Sequence, residues 1–228
     1  MSSLFSYCIP IDDGVAPNPY WDFCTLAICK PAIRSAATEG DWIAGTGARH
    51  AQVGGGGTRD LSGRLVYAMK VTKKFTMKEY DAHTRVHLPD KVPSWRHADH
   101  QRRLGDSIYD FSTDPPTQRP GAHQAGNIAT DLRGKFVLLS DEFYYFGASA
   151  IPLPGELLAI AQNRQGHRRQ KNDEYRDSFI SWATSLGAKG VLGQPLYNPF
   201  RGDSEAAEVG FCAGRRCADD LIDAEDDS

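Results

Sequence analysis

Apolar residues occur in short runs along the chain, and polar, glycine-rich or proline-rich stretches separate these runs. Runs that are rich in β-branched and aromatic residues and that end at turn-forming residues are typical of strands. By this criterion the sequence predicts strands at FSYCIPI, CTLAIC, DWIAG, RLVYAMKVT and both halves of KFVLLSDEFYYFG.

Helical signals are fewer and shorter. Pro31 suits the first turn of a helix in PAIRSAAT, and Gly40 is a plausible stop after it. Thr76 and Glu79 have the spacing of a capping box, which predicts that a helix begins there. PGELLAIAQ is a further short helix, and the clearest helix is NDEYRDSFISWATSLG, with apolar residues at helical spacing and a final glycine.

Two long stretches show neither periodicity. Residues 48–63 contain four consecutive glycines and predict a flexible loop or a hairpin tip. Residues 84–130 contain five prolines and four of the seven histidines, and they predict an irregular surface segment that is functional or mobile. Because the strands are few and the helices short, we predict an α+β fold, a small mixed β-barrel with short peripheral helices and long loops.

Charge is distributed unevenly along the chain. The last twelve residues carry six acidic and no basic side chains, so the remainder has 26 basic against 23 acidic residues and a net charge of +3. We therefore expect a single domain over residues 1–200 and an acidic, flexible tail over residues 201–228. No apolar run of about 18 residues and no signal-peptide pattern is present, so we expect a cytoplasmic protein without a membrane partner.

The cysteines and histidines give little indication of a metal. The five cysteines are odd in number and lack zinc-type spacing, which fits free thiols in a reducing compartment. His97, Asp99, His100 and His123 could be metal ligands, but a His-x-x-His pattern in an irregular loop is weak evidence for a metal site. The sequence also lacks a Gly-x-Ser-x-Gly elbow, a Walker loop and a dinucleotide fingerprint. We expect no metal and no cofactor.

Several motifs follow one another in a specific order: APNPYW, CTLAICKPAIRSAATEGDWIAGTG, GRLVYAMKVTKKFTMKEYD, GDSIYD, SDEFYYFG, RQGHR and GQPL. This order, over roughly residues 5–198, resembles the nucleotide modification associated domain 2 family. Members of that family are placed, largely by genome context, near nucleic-acid base modification and phage-related systems, so the resemblance implies a setting more firmly than an activity. Residues 24–80 also resemble PUA-like barrels of the EVE, ASCH and YTH groups, which hold a modified or flipped base at one end of a small barrel.

The stretch EGDWIAGTG places a carboxylate, a large aromatic residue and two glycines in one short strand. Trp42 could stack on a base or Asp41 could accept from its edge, but strand alternation points these neighbours to opposite faces, so one side of the strand cannot supply both. The glycines on either side of Thr46 would let the backbone approach a base closely. The alternative is that Trp42 belongs to the core and that Asp41 accepts a hydrogen bond in a local turn.

Two neighbouring segments supply further candidates. Asn18, Tyr20 and Trp21 lie in a proline-stiffened loop where Asn18 could read a base edge; the alternative is an aromatic lid with Asn18 in a turn. Lys30 and Arg34 would oppose the dipole at a helix start unless an anion binds there, which suggests a phosphate or acidic ligand. The alternative is that both are solvated surface cations.

The stretch NRQGHRRQK is the densest basic segment. Arg164 and Arg168 could contact phosphate, and Gly166 allows an anion-binding turn beside His167. The alternative is a solvated charged face. If the protein is an enzyme, His167 is the candidate for proton transfer, together with Asp41.

These observations support three functional hypotheses. The first is recognition of a modified base or nucleotide, free or in a nucleic acid, in a pocket formed by residues 18–47, with residues 164–171 contacting phosphate. The second is an enzyme, a transferase or hydrolase, that acts on that nucleotide through His167. The third is a protein-interaction module whose acidic tail mimics nucleic acid. The sequence leaves the choice between binding and catalysis open.

Overall fold

The chain forms a mixed α+β fold in the computed structural model, which describes residues 2–164 and 166–198. The predicted acidic tail over residues 201–228 lies outside the described residues. The helices are α1 (Pro31–Ala36), α2 (Met77–His87), α3 (His100–Arg103), α4 (Ile128–Arg133) and α5 (Arg176–Thr184). The strands are β1 (Leu4–Ile9), β2 (Cys24–Leu26), β3 (Trp42–Gly47), β4 (Ala51–Gln52), β5 (Thr58–Arg59), β6 (Arg64–Lys70), β7 (Lys73–Thr76), β8 (Tyr109–Asp110), β9 (Thr117–Gln118), β10 (Phe136–Ser140), β11 (Glu142–Tyr145), β12 (Ile151–Pro152), β13 (His167–Arg168) and β14 (Gly190–Val191).

The larger sheet has the strand order β13-β1-β3-β6-β11-β14, and β12 also pairs with β6. β1 is parallel to β3, β6 is antiparallel to both β3 and β11, and β11 is parallel to β14. The carboxyl ends of β1, β3, β11 and β14 therefore lie at the same edge of the sheet, which we call the carboxyl edge. Crevices at such an edge are common ligand sites in proteins with parallel strands.

A smaller sheet, β2-β10-β7, continues from the larger one. β6 is followed directly by β7, and β10 is followed directly by β11. The segment β6–β7 runs antiparallel to the segment β10–β11, and both pass from one sheet to the other, near Thr72 and Asp141 respectively. The predicted strand RLVYAMKVT therefore ends at Lys70. β4 and β5 form the predicted hairpin around the four glycines.

The described strands do not close into a barrel, because the path of the larger sheet ends at β13 on one side and at β14 on the other. β2 is shorter than the predicted strand CTLAIC: it stops at Leu26, and the chain turns into α1. β2 forms one edge of the smaller sheet, where it pairs with β10. Among the described helices, none combines the length and the apolar character needed to cross a membrane.

Alternating side chains pack on the two faces of the larger sheet. Phe5, Tyr7 and Ile9 of β1 belong to the core between the two sheets, with Phe143 and Tyr145 of β11. The opposite face carries the residues in between, and α5 covers it. In that second core Leu4, Trp42, Ala44 and Tyr144 pack with Phe179 and Ala183 of α5. Both faces of the sheet are thus buried.

The local helix signals are confirmed at α2. Thr76 Oγ1 accepts a hydrogen bond from the Glu79 N–H, and the Glu79 carboxylate accepts one from the Thr76 N–H, which is a complete capping box. α5 begins at Arg176, four residues after the predicted start at Asn172, because a 3₁₀ turn over Gln170–Asn172 precedes it.

The segment 84–130 is more ordered than its composition predicts. It contains α3, β8, β9 and the start of α4, and it contributes Ile108, Tyr109 and Ala122 to a third core cluster. Arg119 ties this segment to α2, because its guanidinium lies 2.6 Å from the Asp81 carboxylate and also donates to the carbonyl oxygens of Ser107 and Tyr109. Ion pairs and backbone contacts, which leave no periodic signal, hold this segment in place.

Candidate functional site

A cavity of about 640 Å³ opens at the carboxyl edge, and we call it the carboxyl-edge pocket. Three segments that are distant in sequence build its wall: the loop after β1, the region around α3, and the residues after β14. A volume of this size lies within the range of roughly 300–1,000 Å³ that is usual for small-molecule sites. The wall is formed by Asp13, Tyr20, Ala98, Asp99, His100, Gln101, Leu104, Gln194, Pro195, Tyr197 and Asn198.

Asp12 joins two of these segments. Its carboxylate accepts hydrogen bonds from the Tyr145 hydroxyl at 2.5 Å and from the Leu196 N–H at 3.1 Å. Its carbonyl oxygen accepts a third from the Tyr197 N–H at 2.9 Å. The end of β11 and the residues after β14 are therefore fixed to the loop after β1, and this fixes Tyr197 in the wall.

Gly14 allows the wall to close. It has a φ of +77°, and a Cβ there would lie 2.8 Å from the Tyr20 hydroxyl oxygen and 2.9 Å from a ring carbon of Pro195. Both the left-handed backbone and the close approach of the two side chains require glycine.

The pocket is rich in hydrogen-bond acceptors. Asp13 and Asp99 contribute carboxylates, and the described wall residues include no lysine or arginine. Burial raises the pKa of Asp13 above its ordinary range, while the hydrogen bond from the Val15 N–H and the nearby His123 charge oppose that shift. A ligand that donates N–H groups suits this wall, whereas a phosphate inside it would meet like charge.

A buried lysine holds the loop that carries Tyr20. Lys91 is fully buried, and its ammonium group donates to Asn18 Oδ1 at 2.7 Å, to the Phe23 carbonyl at 2.8 Å and to Thr25 Oγ1 at 2.9 Å. Burial lowers its pKa to about 8, and the charge of Asp106 opposes the shift. Such a network is costly to break, because removing one partner leaves a buried charge unpaired.

Three further side chains form a hydrogen-bonded chain close to Asp13. Cys29 Sγ lies 3.4 Å from His123 Nε2, and His123 Nδ1 lies 2.6 Å from Asp131 Oδ2. His123 and Asp131 are buried, whereas Cys29 is partly exposed. Burial raises the pKa of Asp131, but the charge and hydrogen bond of His123, the Tyr109 hydroxyl and the Arg34 charge together hold it below its ordinary value. Asp131 is therefore ionised and accepts from the His123 Nδ1–H, which leaves Nε2 facing the thiol.

The structure places the sequence candidates Asn18, Tyr20 and Trp21 at or near the pocket. Tyr20 lies in its wall. Asn18 is fully buried, donates from Nδ2 to the Leu104 carbonyl and accepts from Lys91, so it anchors the loop. Trp21 is half-buried, with Lys91 Nζ 5.6 Å from its ring centroid.

Lys30 and Arg34 have different surroundings. Lys30 is half-buried, and its Nζ lies 5.3 Å from the ring centroid of Tyr7. Arg34 is fully buried, and its guanidinium donates to the carbonyl oxygens of Cys29, Phe136 and Asp131. Arg34 thus connects α1 to β10 and α4.

Asp41 and Trp42 lie at the other end of the larger sheet. Asp41 accepts from the N–H groups of Ser3 at 2.6 Å and Thr38 at 2.8 Å. Trp42 is buried and meets Phe179 edge-on, with ring centroids 6.1 Å apart. Since Trp42 pairs with Leu4 at the start of β1, the length of a six-residue strand, roughly 17 Å, separates Asp41 and Trp42 from the carboxyl edge.

The glycines of EGDWIAGTG are explained by packing within the chain. A Cβ at Gly45 would lie 2.3 Å from the Tyr67 ring, and one at Gly47 would lie 2.3 Å from Leu61 Cβ. Thr46 between them is fully buried, and its hydroxyl donates to the Tyr7 carbonyl and accepts from the Gln162 N–H.

The basic stretch lies along β1 at the edge of the larger sheet. His167 is buried and pairs with Tyr7, and Arg168 pairs with Ser6. Gly166 has a φ of +95°, and Arg164 is exposed. Arg169 Nε contacts Ser3 Oγ at 3.4 Å, at the amino end of β1. None of the described residues of this stretch belongs to the wall of the carboxyl-edge pocket.

The sequence did not indicate Asp13 or Tyr197 of the pocket, nor Cys29 and Asp131 of the hydrogen-bonded chain. Asp99 and His123 were predicted only as weak metal candidates. A partial signal existed in the pair Asp12–Asp13 with Gly14, which directly follows an apolar strand. His123 and Asp131 lie in or next to the segment predicted as irregular. Within the described residues, no group of three or more His, Cys, Asp or Glu side chains has the arrangement of a metal site.

The fold is mixed α+β, and a cavity lies at the carboxyl ends of its parallel strands. A family model described as "Nucleotide modification associated domain 2" matches residues 1–202. The chain belongs to this family, as its motifs predict, and the family name connects it with nucleotide modification. No curated protein and no solved structure matches the chain. The PUA-like resemblance is not confirmed.

Proposed function

We propose that the carboxyl-edge pocket binds a nucleoside or nucleotide whose base carries an exocyclic amino group, including a base with an added substituent. The observation that supports this most directly is the wall itself, which combines Tyr20 and Tyr197 with the carboxylates of Asp13 and Asp99. An aromatic ring stacks on the flat face of a base, and a carboxylate accepts from its amino edge. Family membership supports the same class of ligand.

The base and the phosphate would occupy different surroundings. Because two carboxylates and no lysine or arginine line the described wall, the base is expected inside the pocket and any phosphate outside it. This proposal keeps base recognition and places it at Tyr20, rather than at Trp42, which is covered by α5.

Calorimetric titration of the full chain with adenosine, cytidine, guanosine and uridine tests the proposal. The three amino-bearing nucleosides are expected to bind more tightly than uridine. Tyr197→Leu, at a half-buried position, should weaken binding about ten-fold or more through lost stacking. Asp99→Asn should also weaken it, because Asn can still cap α3 while the charge is lost.

Tyr175→Leu is the matched control, since Tyr175 packs at the α5 side of the sheet. It should bind nucleosides like the parent chain. Equal affinity for all four nucleosides, or equal losses in Tyr175→Leu and Tyr197→Leu, would contradict the proposal.

A nucleic acid would require a second contact surface, and the exposed Arg164, Arg169 and Lys171 supply one. Contact of these side chains with a phosphate backbone would make oligonucleotide binding fall with salt. Arg164→Glu combined with Lys171→Glu is then expected to weaken binding of an oligonucleotide and to leave nucleoside binding unchanged. If the double variant binds both the oligonucleotide and the nucleosides like the parent chain, the ligand is a free nucleotide.

A further inference from the structure

The arrangement of Cys29, His123 and Asp131 matches the needs of a sulfur nucleophile. The thiol sulfur lies 3.4 Å from His123 Nε2, and the opposite ring nitrogen lies 2.6 Å from Asp131. The ionised carboxylate orients the histidine ring, so that Nε2 faces the thiol. A nucleophile, a base and a group that orients the base are the three parts of an activated nucleophile, whatever the fold.

Asp131 is itself held in place. Besides His123, it accepts from the Tyr109 hydroxyl at 2.7 Å and from the Cys29 N–H at 3.1 Å. Its backbone carbonyl accepts from Arg34 at 2.6 Å. The carboxylate therefore fixes both the histidine ring and the backbone of the cysteine, which keeps the sulfur and the base in register.

The backbone at Cys29 is unusual. Cys29 and the following Lys30 have φ values of 57° and 42°, in the left-handed region that residues other than glycine rarely adopt. They form the sharp turn between β2 and α1. Such conformations cost about 1–3 kcal/mol each and cluster at functional sites. A nucleophile on a tight strand-to-helix turn is exposed at the end of its sheet, as in nucleophile elbows.

The other described cysteines lack these features. Cys24 is fully buried, and burial raises its pKa to about 12. Cys8 is half-buried, and burial raises its pKa to about 11, which the charge of Lys30 only partly offsets. At neutral pH both are poor nucleophiles, because only the thiolate attacks.

We propose that Cys29 is a catalytic nucleophile for acyl transfer, with His123 as its general base and Asp131 as a positioning residue. The substrate class is an acyl ester or amide. His123 Nε2 takes the thiol proton while sulfur forms a bond to the carbonyl carbon. The bond from that carbon to the alcohol or amine then breaks, and the leaving group takes the proton from His123. Water, deprotonated by His123, hydrolyses the thioester and restores the thiol.

This activity goes beyond the proposed nucleoside binding and does not depend on it. Asp13 connects the two sites, because it lies in the pocket wall and close enough to His123 for their charges to interact.

Full-length chain treated with p-nitrophenyl acetate tests the proposal. The expected result is a burst of about one equivalent of p-nitrophenolate, with the acetyl group located on Cys29 by mass spectrometry. Cys29→Ser should lose the burst, and Cys8→Ser, the matched control, should keep it. His123→Gln should slow acetylation about 100-fold. An acetyl group on another residue, or an unchanged burst in Cys29→Ser, would overturn the proposal.

The pH dependence of alkylation by iodoacetamide tests the pairing itself, with Cys29 labelling followed by mass spectrometry. We expect a midpoint below that of a free thiol, about 8.5, in the parent chain and a higher midpoint in His123→Gln. A parent midpoint at or above that of a free thiol overturns the proposal even if His123→Gln does not fold. The titratable and charged groups that face Cys29 and His123 are Asp131, Lys30, Arg34, Tyr7, Tyr109 and Asp13.

The two proposals fail separately. Acetylation of Cys29 without nucleoside binding would refute the binding proposal alone. Nucleoside binding that persists in Cys29→Ser, with no acetylation of the parent chain, would refute the acyl-transfer proposal alone. Tyr197→Leu, which alters the pocket, is expected to leave the iodoacetamide profile of Cys29 unchanged.

Discussion

At the residue scale, the molecule carries ionisable side chains deep in its interior, and each is matched by specific partners. Arg34 donates to three backbone carbonyls, and Lys91 donates to Asn18, Phe23 and Thr25. The Asp12 carboxylate accepts hydrogen bonds from the Tyr145 hydroxyl and the Leu196 N–H, and its backbone carbonyl accepts one from the Tyr197 N–H. A buried charge is tolerated only with such partners, so these side chains report how the segments around the pocket are joined.

Asp12 gives a prediction for stability against pH. Burial raises its pKa from an ordinary 3.8 to about 7, although the Tyr145 and Leu196 hydrogen bonds oppose the shift. Between these two values the folded chain holds a proton that the unfolded chain has released. The free energy of unfolding should therefore fall as pH rises across this window, by up to about 1.4 kcal/mol per pH unit.

Urea unfolding at several pH values, in the parent chain and in Asp12→Asn, measures this effect. The variant should show a smaller fall, because one titrating group is removed, while Asp13, whose pKa burial also raises, contributes the remainder. If the free energy of unfolding falls equally with pH in both chains, Asp12 is ionised in the folded state. That result would contradict the raised pKa of Asp12.

At the scale of elements, α5 covers one face of the larger sheet and stabilises it without touching the pocket. Phe179 is fully buried and contacts both Trp42 and Trp182 with ring centroids about 6 Å apart. Its side chain therefore holds the helix onto the amino-end half of β3.

Phe179→Ala should lower the free energy of unfolding by about 3–5 kcal/mol, because it removes apolar contacts and leaves a cavity. Ser181→Ala, at an exposed position of the same helix, should change it by about 0.5 kcal/mol or less. Chemical denaturation measures both. Similar small effects in the two variants would mean that α5 does not pack on Trp42 as described.

The elements were predictable where their signals are local. The Thr76–Glu79 capping box lies within one turn of helix, and the strands around Ile43 and Val66 follow from composition alone. The burial of Arg34 was not predictable, because its acceptors in Phe136 and Asp131 are about a hundred residues away in sequence. The local sequence around an arginine at the start of a helix is the same whether that arginine is buried or exposed.

The site depends on the same long-range contacts. Tyr20 was identified as a ligand-binding candidate, but Asp99 and Tyr197 meet it only through the tertiary fold. Cys29 and His123 are 94 residues apart in sequence. The histidine lies in a segment that was predicted to be irregular because it contains five prolines. No periodicity in the sequence brings such pairs together, so the structure was needed to find them.

At the scale of the whole molecule, the two sheets bring the loop after β1, the α3 region and the residues after β14 to one edge. Asp13 lies in the wall of the carboxyl-edge pocket, and its carboxylate interacts electrostatically with His123 of the Cys29 chain. The amino end of β1, with Asp41, Trp42 and Arg169, forms a separate surface. The family match covers residues 1–202, and the single domain over residues 1–200 stays a prediction.

Photo-crosslinking locates a nucleoside bound in the carboxyl-edge pocket. The full chain is irradiated with 8-azidoadenosine and digested, and the labelled peptides are identified by mass spectrometry. We predict labels on peptides from residues 13–21, 98–104 or 194–198 that excess adenosine prevents and that Tyr197→Leu reduces. Labels confined to residues 41–47 or 164–171, or labels that adenosine does not prevent, would contradict the proposed binding in this pocket.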